Sequence, residues 1–241
     1  MTTKRIKKIS ILAILFFLPV IFLLFLYPSK HNYNTLDVIA NNIIEVSAFI
    51  DEDGEDVFLE NNLTVLGFFG SQPMDKSTVA SNLKELIYDK FKGFKRFQIL
   101  IIIPQGAEAQ VKLLKKELLK YDELKYWSFA YGHEQDIQKL YNSLNASNNL
   151  EPNLATDHVF IIDKDRNQRG RLDDRTERQV EKQEGAYGLS SYDCIKVAVV
   201  KNKMSEDMRI LFTEYRQKRK GTFDSTSRRA DDIKTEVKIE D

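Results

Sequence analysis

The sequence predicts an α/β fold: a mixed sheet flanked by helices, with an N-terminal transmembrane helix. Three observations predict it. Apolar stretches of strand length alternate with stretches of helical period three times in succession, which calls for parallel strands joined by crossover helices. A late pair of strand-like stretches around a polar turn adds antiparallel strands. Residues 9–27 carry no charge and directly follow the basic stretch KRIKK.

The first element is ISILAILFFLPVIFLLFLY, Ile9 to Tyr27, nineteen residues. At about 1.5 Å per residue it spans a bilayer core. Pro19 in its middle is tolerated in a membrane helix. Lys4, Arg5, Lys7 and Lys8 precede it. Positive flanks stay inside, so residues 1–8 read as a cytoplasmic basic tail and the bulk of the chain as periplasmic or otherwise extracytoplasmic. A cleaved signal peptide would have a shorter apolar region ending at a small-x-small site; this run ends in FLYPSKHN, which offers none. No cysteine follows to take a lipid, and no second long apolar run exists, so the expectation is an uncleaved signal anchor at the cell membrane, crossing once. Residues 28–36 read as a linker, 37–220 as the folded domain, and 221–241, polar and poor in aromatics, as a disordered tail.

Within the domain, IIEVSAFIDEDGEDVFLENN reads as two β-rich pieces around Asp53-Gly54, a hairpin signal because glycine accepts the positive φ the turn needs. LTVLGFFG is a strand covered on both faces. Val79, Leu83, Leu86, Ile87 and Phe91 then fall at helical spacing, with Gly93 as a stop. FQILIII is a second buried strand, closed by Pro104. Val111, Leu114, Leu118 and Tyr121 form one stripe of an amphipathic helix that lies on the sheet. YWSFAYG is a short aromatic strand, and HEQDIQKLYNSL a third helix with Ile137, Leu140, Tyr141 and Leu144 inward. HVFIIDKDRNQRGRLDD is two strands joined near Asp165-Arg166-Asn167. Asp173 to Gly185 is nearly all polar and reads as an exposed loop. DCIKVAVV suits a strand by its β-branched residues, while Val197, Val200 and Met204 also fit a helix. Ser205 is placed as the cap of EDMRILFTEYRQKRK, whose acids come first and bases last, with Gly221 ending it.

Composition narrows the function. There are 36 basic and 36 acidic residues; without the four basic residues of the tail, 32 basic stand against 36 acidic. No basic face is concentrated in the domain, which argues against nucleic acid as a partner. One cysteine, Cys194, cannot form an internal disulfide or a paired-cysteine metal site and reads as a buried thiol. His31, His133 and His158 lie too far apart for local metal-ligand spacing. Ser71 lacks the G-x-S-x-G elbow of a hydrolase nucleophile and reads as a turn or capping residue. DKDRN lacks the glycine and distal glutamate of a calcium loop and reads as a turn.

Three stretches resemble the Sco/SenC group of the thioredoxin superfamily over residues 43–220. SAFIDEDGEDVFLENNLTVLGFFGS resembles that group's opening hairpin, with its DxDG turn, running into the central strand. FFGSQPMDKSTVASNL resembles its FFTSCPxxCPxMxxNL loop and helix, matching at Phe68, Phe69, Ser71, Pro73, Asn82 and Leu83. HVFIIDKDRNQRGRLDD resembles its late hairpin. The resemblance implies a thioredoxin-like sheet and a membrane-anchored protein that delivers copper to cytochrome oxidase or handles thiols. It also places the two metal-binding cysteines at Gln72 and Lys76, and the histidine ligand near Ala155 rather than at His158.

Soft thiolates hold Cu(I), and a thiolate is the nucleophile of disulfide exchange. An amide and an ammonium supply neither. The loop Ser71, Gln72, Pro73, Met74, Asp75, Lys76 therefore reads as a degenerate active site, with no catalytic, metal or cofactor-binding residue and no cofactor. Met74 reads as loop packing, His158 as a locally hydrogen-bonded residue at the start of a strand, and Lys76 as solvated beside Asp75. The expectation is a non-enzymatic binding or assembly module whose protein partner meets the carboxyl edge of the sheet, with YWSFAYG as further aromatic surface. A link to respiratory-oxidase assembly would follow by analogy alone. The alternative is an active thiol-redox or copper-handling protein using Cys194 or Met74 with His158.

Overall fold

The computed structural model describes residues 3–26, 35–119 and 124–221. The chain divides into two units, Met1–Asn34 and Thr35–Asp241. The first contains helix α1, Thr3–Leu26, with Pro19 inside it. Its side chains are described only at Lys7 and over 11–22. Among the described residues no helix is long and apolar enough to cross a membrane. The expected anchor lies partly outside the described residues, as do most of the linker with His31, the tail beyond Gly221, and Tyr121.

In the second unit β1 is Asp37–Ala40 and β2 is Leu63–Phe68. Pro73–Lys76 forms a single 3₁₀ turn that leads into α2, Ser77–Leu83. This helix continues through a π-turn, Lys84–Tyr88, into α3, Asp89–Phe91. Then follow β3, Phe97–Pro104, α4, Glu108–Leu118, β4, Trp127–Gly132, and α5, Glu134–Asn142. The last part holds β5, His158–Ile162, β6, Gln168–Gly170, α6, Glu177–Glu181, β7, Tyr192–Asp193, and α7, Ser205–Lys220.

The sheet runs β1-β6-β5-β2-β3-β4, with β7 on β5. β2, β3 and β4 are parallel; β5 runs against them, and β6, antiparallel to β5, runs their way again. Every residue of β2 is buried, as the unbroken apolar run predicts for a strand between two neighbours and under two layers. Alternate residues feed opposite faces. Leu63 and Val65 join Val79, Leu83, Val111, Leu114 and Leu211 on one side. Leu66 and Phe68 join Ile137, Leu140 and Phe160 on the other. The helical stripes at 79–91, 111–118 and 137–144 and the late hairpin are borne out.

Four expectations need correction. The stretch around Asp53-Gly54 is a turn closed by one antiparallel bridge, Ile50 to Asp56, and not by two extended strands. Asp51 Oδ1 accepts the amides of Asp53 and Glu55 at 2.9 Å each, but Ile50 spends its own amide and carbonyl on Tyr131 at the β4 edge. Upstream, Ile43, Val46 and Phe49 plug the core, and the Glu45 carboxylate takes the Leu59 and Glu60 amides where strand pairing would have done so. Ser205 does not cap a helix: α-helical and π-helical turns already run from Val197, so Ser205 is buried inside a continuous helix. DCIKVAVV resolves into both readings, with β7 first and the helix after it; Val200 and Met204 face the core while Val197 is exposed. The polar stretch 173–185 is largely exposed but contains α6, opened by a capping box between Thr176 and Gln179, and Asp174 within it is buried.

Candidate functional site

Residues 69–76 leave the carboxyl end of β2, the edge of an open α/β sheet where ligands usually bind. The chain can turn there because Gly70 adopts φ +66°, and a Cβ at this position would lie 2.3 Å from the Asn153 carbonyl oxygen. Beyond it, the Ser71 amide donates to that same carbonyl at 3.0 Å. Phe69 bridges Ala155, and the Thr156 amide donates to the Phe68 carbonyl at 2.9 Å. The segment 151–157 is thus stitched along the loop, and the three positions that the resemblance singles out, 72, 76 and 155, belong to two adjoining segments.

Of the loop residues, Ser71, Gln72 and Asp75 are exposed, Pro73 is buried, and Met74 packs half-buried against the core. Lys76 is the correction. It is not solvated beside Asp75: its side chain is 8% exposed, and Nζ lies 2.6 Å from Glu151 Oε1 and 2.9 Å from Asp157 Oδ1. Burial alone would lower the Lys76 pKa. The hydrogen bonds to Glu151 and Asp157 outweigh it, and the net direction is up. An ammonium held charged by its two carboxylates thus closes the loop onto the segment 151–157.

This donor set does not fit copper. Gln72 offers an amide, Lys76 a cation already hydrogen-bonded, and Ala155 a methyl group that is fully buried. Among the described residues no group of three His, Cys, Asp or Glu side chains could hold a metal ion. His158 sits at the start of β5 with Nδ1 3.0 Å from Ser191 Oγ, as expected, and is not gathered with Met74. Cys194 is fully buried; burial, then the charges of Asp193 and Asp157, push its thiol pKa well up, away from a reactive thiolate. Asn82, a matched position, donates to the Cys194 carbonyl at 2.8 Å and so ties α2 to the segment after β7. His133 is exposed at the start of α5. Trp127, Phe129 and Tyr131 are buried, so YWSFAYG presents no aromatic surface beyond the partly exposed Tyr126. Sequence reasoning missed Glu151 and Asp157, which carry no motif and reach Lys76 only through the fold.

No protein-family model matches the sequence, and no curated protein matches it. By structure the chain is similar to BsSco, a member of the Sco family of cytochrome c oxidase assembly proteins, with TM-score 0.50, 12% identity, and 74% of this chain and 98% of that chain covered. Arabidopsis thaliana ScoI with copper bound gives TM-score 0.41 and 15% identity over 70% of this chain and 99% of that one. A thiol:disulfide interchange protein from Bacteroides sp. gives TM-score 0.40 and 16% identity over 54% of this chain and 77% of that one. The strand order, the loop at the carboxyl end of β2 and the likeness to BsSco together identify the chain as having the Sco-like thioredoxin fold.

Proposed function

We propose that this chain is a membrane-anchored binding or assembly module whose thioredoxin-like domain faces outward and performs neither thiol exchange nor copper transfer. One observation carries the reading: the second sulfur position holds Lys76, fastened to Glu151 and Asp157. An ammonium repels a metal cation and cannot attack a disulfide. The surface left at the sheet edge, Ser71, Gln72, Asp75 and the half-exposed Glu151 and Asp157, can still hydrogen-bond to a protein partner. The uncharged run 9–27 after KRIKK supports a single crossing with the N-terminus inside.

The test uses the full-length protein in membranes. Photo-crosslinking from position 72 or 75 is expected to capture one preferred partner, and crosslinking from the far side of the domain is expected to capture none. Protease added to intact cells stripped of their outer layer should digest the domain. Stoichiometric Cu(I) binding in competition with a chelator, or reduction of insulin disulfides, would overturn the proposal. A position-independent crosslinking pattern would reduce the domain to a spacer.

A further inference from the structure

A second opening lies on the same edge of the sheet but uses none of the 71–76 loop. It is an open cleft of about 640 Å³ between the turn at 50–53, Gln105 just past β3, the face of α4 and Tyr131 of β4. Its place beyond the carboxyl ends of parallel strands and its size are those of small-molecule sites.

Most charged groups around it are committed to the fold. Asp51 caps its own turn. Lys115 is paired with Glu52. The Glu108 carboxylate accepts the Gly106 amide at 3.0 Å. Three groups on the wall make no direct hydrogen bond or ion pair among the described residues: the Tyr131 hydroxyl, the Asp53 carboxylate and the Lys112 ammonium, although Lys112 is near enough to Glu108 to help lower its pKa. Tyr131 is only 6% exposed. It lines the cleft, and burial first, then the charges of Glu52 and Glu108 on the cleft wall, raise its pKa, so its hydroxyl stays protonated. The ring is buried, but the hydroxyl is not among the fully enclosed polar atoms without a partner, so solvent or a ligand in the cleft can reach it.

The uncommitted groups are thus one anion, one cation and one hydroxyl at the floor, beside the apolar edge of Ile50. We propose that this cleft binds a small zwitterion bearing an ammonium and a carboxylate, a free amino acid or a dipeptide. Asp53 receives the ammonium, Lys112 the carboxylate, and the Tyr131 hydroxyl donates to the ligand's carboxylate or amide oxygen. A multiply charged anion is disfavoured by the four carboxylates on the wall against two ammonium groups.

The full-length protein in detergent micelles is titrated with diglycine and with glycine while backbone amide signals at 50–53, 105–108 and 131 are followed by NMR. Saturable shifts confined to those positions are expected, and the two probes distinguish a dipeptide from a free amino acid. N-acetylation or C-amidation of the probe should each weaken binding roughly tenfold, the scale of one lost charged contact. Tyr131→Phe, Asp53→Asn and Lys112→Met should do likewise. Asp53→Asn should also erase the penalty of N-acetylation, and Lys112→Met that of C-amidation. Tyr131→Phe removes a group with no partner in the protein, so unchanged circular dichroism is expected. Absence of saturable shifts, ethylamine binding as tightly as diglycine, or wild-type affinity in Tyr131→Phe would overturn the proposal.

Discussion

Lys76 Nζ lies 2.6 Å from Glu151 Oε1, across 75 residues of sequence. The same ammonium reaches Asp157 at 2.9 Å. One buried cation therefore fastens the loop after β2 to the segment before β5. Both carboxylates are more than two-fifths exposed, so solvent screens the pairs and their worth is modest. Lys76→Met should lower stability by about 1–2 kcal/mol, near the upper end for screened pairs with a buried member. Urea unfolding measures it. A loss below about 0.3 kcal/mol would show that the ammonium is decorative.

The same clamp sets an alkaline limit. The folded Lys76 pKa lies above the ordinary value of 10.5. A raised cationic pKa stabilises the fold fully below the unfolded value, and the stabilisation is lost as the pH rises through the folded value. Unfolding free energy should therefore fall above pH 10.5, and the fall should be shallower in Lys76→Met. Parallel pH profiles of the two proteins would expose any clamp that does not titrate.

The sheet and its helices were legible because burial imposes period. The unbroken run at 63–68 and the stripes at 79–91, 111–118 and 137–144 carry their own register. The Asp53-Gly54 turn closes on a single antiparallel bridge, Ile50 to Asp56, and not on two strands, because Ile50 gives its amide and carbonyl to Tyr131, 81 positions away, and no local pattern reports that choice. Ser205 misled for the opposite reason: its residue type suits a cap, but the helix began eight residues earlier. At the candidate site, the loop and the loss of sulfur could be read from Gln72 and Lys76. The partners of Lys76 could not. Glu151 and Asp157 look like any surface acids until 151–157 is laid beside 68–71.

Gly70 makes that alignment possible. Its φ of +66° favours glycine, and an added Cβ would sit 2.3 Å from the Asn153 carbonyl and 2.9 Å from the Ala155 amide nitrogen. Both neighbours are backbone and cannot rotate aside. Gly70→Ala should destabilise by at least about 3 kcal/mol, the sum of left-handed strain and overpacking. The loop should loosen before the rest, seen as faster amide exchange at Ser71 and Thr156, whose hydrogen bonds cross this junction. Wild-type exchange there would show that the junction does not depend on Gly70.

Cys194 tests whether the one thiol is available to any chemistry. It is fully buried, Sγ lies 3.5 Å from the Tyr192 carbonyl, and burial raises its pKa. Native protein at pH 8 should resist a disulfide reagent over minutes, and unfolded protein should release one equivalent. Installing Gln72→Cys should add one fast-reacting thiol, since position 72 is exposed. Rapid native labelling of Cys194 would revive a redox role for it.

The late hairpin depends on a buried ion triad. Arg169 of β6 donates to Asp163 at 3.0 Å, to Glu214 of α7 at 2.9 Å and to the Leu36 carbonyl at 2.7 Å. All three charged side chains are at most 6% exposed, so water cannot replace a missing partner. Burial lowers the Arg169 pKa, but the two carboxylates outweigh it and hold the guanidinium charged. Arg169→Met leaves two carboxylates buried with reduced compensation and should cost about 3–5 kcal/mol. Glu214 retains Lys218 at 2.7 Å, which places the cost toward the lower end. Pairing Arg169→Met with Glu214→Met removes one of the stranded charges, so the double variant should be more stable than Arg169→Met alone. Thermal unfolding of the two single variants and the double gives the coupling directly. A double variant no more stable than Arg169→Met would mean that the arginine acts through the Leu36 carbonyl and Asp163, holding β1 and the hairpin turn, rather than through α7.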